Sequence, residues 1–162
     1  MNILAVNAQL IKDFGVVYKI DSPDLLLDTN TEYKVIFDVY TDNANGEKVN
    51  PLLNTVARFI NMHAAQGVLL ENMKIAVILH GKATKSALSD APYNELYKID
   101  NPNSKLIAIL KNTNVEIFVC GQSYMASKFD VKDKSENVKM ALSALTALVE
   151  YQNNGYKIIN FN

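Results

Sequence analysis

The chain holds a single cysteine, Cys120, among 162 residues, so no internal disulfide can form and a disulfide scaffold is excluded. An excess of charge of one sign is also missing. With 16 Lys and Arg against 17 Asp and Glu the formal charge is −1, and long-range attraction to nucleic acid or to an anionic membrane surface has no source. No apolar run approaches the roughly 20 residues that span a bilayer. Histidine is equally scarce: His63 and His80, with Cys120, fall short of a closed tetrahedral zinc set, and none are spaced as neighbours on one helix turn. No metal is expected. GxGxxG, GxSxG and HExxH are all absent. The stretch GKATKS (81–86) fails as a phosphate loop, because Ala76 stands where the earlier glycine is required and Ala83 where Ser or Thr should follow Gly-Lys. No pattern calls for a cofactor.

What remains is a chain long enough for one domain with an ordinary core. Residues 1–32 have little pattern and read as an N-terminal arm, with GVVYKI (15–20) as a short edge strand. Val6-Asn7-Ala8 before Gln9 has the small-residue look of a signal-peptidase site. The reading is therefore a cytoplasmic protein, or a periplasmic one if residues 1–8 are the end of a signal peptide. From Tyr33 to Asn162 the pattern is regular. YKVIFDVY (33–40), MKIAVILHG (73–81), VEIFVCG (115–121) and YKIINF (156–161) are apolar runs of strand length, the second suited to a central position. Between them Asn50 and Pro51 open a helix to Gly67, a segment broken at Pro92 holds one or two short helices, and Asn101-Pro102 opens another with Leu106, Ile107 and Leu110 on one face. Ser135 reads as the cap of a last helix running to Gly155, with a short strand at its start as the alternative boundary. Strands alternating with helices imply a three-layer α/β domain with a mostly parallel sheet.

In such a sheet ligands bind beyond the carboxyl ends of the strands. Two strands end alike, in His80-Gly81 and Cys120-Gly121, each a reactive residue followed by a permissive backbone. Asp38, Thr41, Asp42 and Asn43 lie at the end of the first strand, and Gln122 follows the second glycine. Cys120 is either a packed core residue or a rim thiol whose pKa is lowered by Lys82, Lys128 or His80. His63 falls on the apolar side of its helix and reads as a core or edge residue.

The order of these elements, together with YKVIFDVY, RFINMHAAQGV, VILHG, DNPN, VCGQS and ALVEYQNNGYKIINF, resembles the DsrE/DsrF-like (YchN-like) proteins of sulfur metabolism over about Tyr33 to Phe161. The resemblance implies an α/β/α sandwich on a five-stranded parallel sheet and homotrimers or hexamers built from them. It also implies a sulfur relay in which a cysteine matching Cys120 carries sulfane sulfur as a persulfide between donor and acceptor proteins. The Arg-Gly that follows this cysteine in sulfur-relay members is missing from GQSYMASKFD. In the relay reading, a sulfurtransferase-type carrier, His80 holds the thiolate while Gly121 and Gln122 offer donors. The alternative is an oligomeric module without turnover that binds a small ligand or a partner at a rim of Asp42, Asn43, His80, Gly81 and Gln122.

Overall fold

The computed structural model describes residues 9–161. Val6 to Ala8, with the suspected processing site, lie outside the described residues. Five strands form one sheet: β1 (Tyr33–Val39), β2 (Met73–Leu79), β3 (Glu116–Cys120), β4 (Lys139–Ala141) and β5 (Lys157–Ile159). Their order is β4-β3-β2-β1-β5 and every pairing is parallel. β2 is thus central, as its unbroken apolar run requires. Parallel neighbours need crossovers, supplied by α1 (Pro51–Ala65), α2 (Asp90–Tyr97), α3 (Ser104–Asn112), α4 (Gly121–Ala126) and α5 (Ala144–Asn153).

The two faces of the sheet differ. Val35, Phe37, Val39, Val77, Leu79, Ile117 and Val119 point to one side, where Leu53, Val56 and Ile60 of α1 and Leu106, Ile107 and Leu110 of α3 complete the main core. The opposite side is thin. There Ile36, Ala76, Ile78 and Cys120 meet Ala144 and Ala147 of α5, and the small side chains let this one helix lie close across the strands.

α1 starts as its sequence implies, with the Asn50 side chain accepting from the Leu52 N–H at 2.9 Å and Pro51 at the first helical position. Three expectations need correction. Pro92 does not break its segment, because it lies in the first turn of α2, where a missing N–H costs no helical bond. Ser135 caps no helix. The alternative boundary holds instead: the short strand there is β4, paired with β3, and α5 begins at Ala144 behind Ser143, whose side chain accepts from the Thr146 N–H while the Thr146 hydroxyl accepts from the Ser143 N–H. Backbone pairing along an open sheet edge prevails over the helical spacing of 138, 141 and 145.

GVVYKI (15–20) is not among the strands of the sheet; β5 occupies the edge beside β1. The arm is held elsewhere. Ile11 is buried against α1, where the Asn61 side chain accepts from the Ile11 N–H at 2.8 Å and donates to the carbonyls of Ile11, Phe14 and Gly15 at 3.0 Å. Gly15 has φ +63°, and a Cβ there would lie 2.3 Å from the Arg58 nitrogen.

Candidate functional site

The register of the sheet decides which side chains meet at its carboxyl edge. β2 and β3 pair Leu79 with Val119, so the next residues, His80 and Cys120, stand side by side on strands about 4.8 Å apart. Phe37 pairs with Ile159, so Asp38 neighbours Asn160. His80 continues the strand with φ −152° and ψ −178°, and its N–H donates to the Val39 carbonyl at 3.0 Å. Alternation then puts Asp38, His80 and Cys120 on the thin face, with Ile36 and Ile78.

Cys120 ends β3 and caps the short helix α4. The Ser123 N–H donates to Sγ at 3.4 Å, and the Gly81 N–H donates to the Ser123 hydroxyl oxygen, also at 3.4 Å. Ser123 therefore ties the two Gly-containing strand ends together. Cys120 as a residue is only 4% exposed. Burial pushes its pKa up, but hydrogen bonds from the Ser123 hydroxyl and from the N–H groups of Ser123, Ala144 and Gln122 outweigh it and leave the thiol below its ordinary value. The donors are neutral groups, where the sequence had suggested Lys82, Lys128 or His80. Gly121 is required by its surroundings: a Cβ there would lie 2.8 Å from the Ala141 carbonyl oxygen. Gln122 is exposed and its side-chain amide donates to the Leu142 carbonyl at 3.4 Å.

His80 turns its Nε2 to Asp38 Oδ1 at 2.6 Å, and the Asn160 amide donates to the other oxygen at 3.1 Å. Gly81 has φ +55° and would bring a Cβ within 2.6 Å of the Tyr40 carbonyl oxygen, so glycine is needed where the chain leaves β2. Asp42 does not line an open rim. Its side chain is fully buried, 3.1 Å from Lys85 Nζ in a charge contact outside hydrogen-bond geometry, and its second oxygen accepts from the Ala44 N–H. Asn43 is exposed and accepts from the Thr41 hydroxyl at 3.2 Å. His63 is a buried residue of α1: its ring stacks on Phe59, its Nδ1 donates to the Phe59 carbonyl at 2.8 Å, and burial lowers its pKa.

Sequence reasoning missed Ser123 and Asn160 and left Asp38 without a role. Asp38 had a signal, a lone carboxylate inside an apolar strand; Asn160 had none without the register. Among the described residues no three His, Cys, Asp or Glu side chains converge as a metal site, and no helix is long and apolar enough to cross a membrane.

The fold has solved counterparts. MTH1491, a protein of unknown function from Methanobacterium thermoautotrophicum, superposes with a TM-score of 0.60 at 21% identity, covering 80% of this chain and 99% of its own. The ychN protein from E. coli gives 0.59 at 16% identity, with the same 80% and 99% coverage. No curated protein matches the chain. The model of the DsrE/DsrF-like family matches residues 34–161, which is nearly the whole of the sheet and its helices, and the chain therefore belongs to the DsrE/DsrF-like family.

Proposed function

We infer that this protein is a sulfur carrier that takes sulfane sulfur onto Cys120 as a persulfide. The observation that carries this reading is the setting of Sγ: a thiol at the carboxyl end of β3, accepting from the Ser123 N–H, whose N–H and hydroxyl donors bring it below the ordinary thiol value. Family membership supports it independently. In the loading step the Cys120 thiolate attacks the outer sulfur of a donor persulfide R–S–SH. A new S–S bond forms at Cys120, the donor S–S bond breaks, and R–S⁻ leaves with the bond pair and takes up a proton. Discharge reverses these roles, with an acceptor thiolate attacking the outer sulfur and Cys120 leaving. No oxidant or cofactor enters either step, and a free thiol suits a reducing compartment.

Native mass measurement after treatment with glutathione persulfide tests the reading. One added sulfur on the wild-type chain and none on Cys120→Ser is the expected result; no addition to either chain contradicts it. The 4% exposure of Cys120 favours a second reading, in which the cysteine is packing and the exposed Asn43 and Gln122 with the half-buried His80 bind a small ligand without turnover. A thiol that resists alkylation until the protein is unfolded selects that alternative. Either function is carried by a homotrimer or hexamer in our reading, supported by the exposed Leu142, Leu145 and Val149 around the outer side of α5 and Leu25 and Leu26 of the arm.

A further inference from the structure

We propose that Asp38 and Asn160 are positioning residues that hold the His80 imidazole, through Nε2, as the proton acceptor and donor for chemistry at Cys120. The proposal rests on the sulfur-carrier reading of Cys120. Its basis is a row of four polar side chains drawn from four neighbouring strands. Asn160 follows β5, Asp38 is in β1, His80 follows β2 and Cys120 ends β3, and the pairing registers bring them to one edge of the sheet.

The hydrogen bonds along the row have a direction. The Asn160 amide donates to Asp38 Oδ2 at 3.1 Å, and His80 Nε2 donates to Asp38 Oδ1 at 2.6 Å, so both oxygens of a side chain only 11% exposed are occupied. An ionised carboxylate can only accept, so Nε2 carries the ring proton. In the neutral ring the lone pair then belongs to Nδ1. Among the described residues no group hydrogen-bonds to Nδ1 of His80. A nitrogen held as an acceptor and left unused, on the strand next to the thiol, is available to take a proton there directly or through one water.

Asp38 interrupts an apolar strand whose neighbours Phe37 and Val39 are fully buried. Burying a carboxylate there costs free energy that a valine would not. The asparagine then has a purpose: it fixes the carboxylate that fixes the imidazole, as outer partners do for ligand and catalytic histidines. Before the loading step the Cys120 thiol gives its proton to Nδ1, the resulting thiolate attacks the outer sulfur of the donor, and the imidazolium then gives the proton to the departing R–S⁻. The ring ends the step as it began.

The chain has two histidines, and the structure assigns them opposite tautomers, His63 with its proton on Nδ1 and His80 with its proton on Nε2. Nitrogen-15 NMR of the two imidazoles at alkaline pH, joined to sulfur uptake from glutathione persulfide, tests the proposal. The expected spectrum shows an acceptor-type Nδ1 for His80 in the wild type. Asp38→Asn keeps the side-chain shape but can donate to Nε2, so the tautomer moves toward Nδ1–H and uptake falls by about a hundredfold to ten-thousandfold, the usual range for general acid–base catalysis. Asn160→Ala lowers uptake less and mixes the tautomers. A wild-type His80 protonated on Nδ1, or Asp38→Asn with unchanged uptake, overturns the proposal. Absence of sulfur uptake by the wild type overturns the carrier reading and the proton-transfer role, and the spectrum still decides separately whether Asp38 sets the ring.

Discussion

At the scale of single residues, the chemistry of Cys120 is set by neutral donors. The Ser123 N–H, which donates to Sγ at 3.4 Å, and the Ser123 hydroxyl and the Ala144 and Gln122 N–H groups around the sulfur together offset a burial that by itself would suppress the thiolate. Alkylation followed against pH should therefore show a midpoint below the free-thiol value of about 8.5, and Ser123→Ala, which removes the hydroxyl donor, should raise that midpoint. A midpoint at or above the free-thiol value in the wild type would mean that burial dominates. His63 makes a second pH prediction. Burial lowers its pKa, so as pH falls the unfolded chain takes up a proton before the folded one does. Stability is thus full above the ordinary value of about 6.5 and declines as pH falls through the lowered folded value. Urea titrations at pH 7.5 and 5 should show this decline, and His63→Phe should reduce it; equal declines in both chains would assign the pH dependence to other groups.

At the scale of elements, the arm and α1 behave as one unit through Asn61. Replacing Asn61 by alanine removes the acceptor of the Ile11 N–H and the donor to three carbonyls. Leaving such buried groups unpaired costs about 1–3 kcal/mol, so the urea midpoint should fall by a corresponding amount; an unchanged midpoint would show that the arm contributes no stability. Ser143→Ala should cost about 1 kcal/mol through loss of the α5 cap, read from the same titration. The elements legible in the sequence were those with their own apolar pattern: β1, α1, β2, α3 and β3. β4 was legible only as the alternative boundary of the last helix, since its three residues Lys139, Met140 and Ala141 have no buried member and become a strand only by pairing with β3. A helical spacing that continued through them gave the helix precedence. Pro92 misled for a related reason, because the effect of proline depends on its position in a helix and not on its presence.

At the scale of the whole molecule, one face of the sheet is thickly covered and the other carries a single helix over a row of polar strand ends. Light scattering at micromolar concentration should show a trimer or a multiple of it, since Leu142 at 72% and Leu145 at 80% exposure remain open on the isolated chain; a monomer would contradict this. How much of the site was legible follows from the same architecture. Cys120 and His80 could be read because each ends an apolar run before glycine, whereas their adjacency needed the strand order. Asp42 was misplaced because loop polarity does not reveal that a carboxylate turns inward to Lys85. The central claim is that the Cys120 sulfur accepts a second sulfur. Mass spectrometry of the intact protein, purified without reductant and exposed to glutathione persulfide, tests it most directly: one additional sulfur, mapped to the peptide bearing Cys120 and absent from Cys120→Ser, is the predicted result, and an unchanged mass for the folded wild-type protein would contradict it.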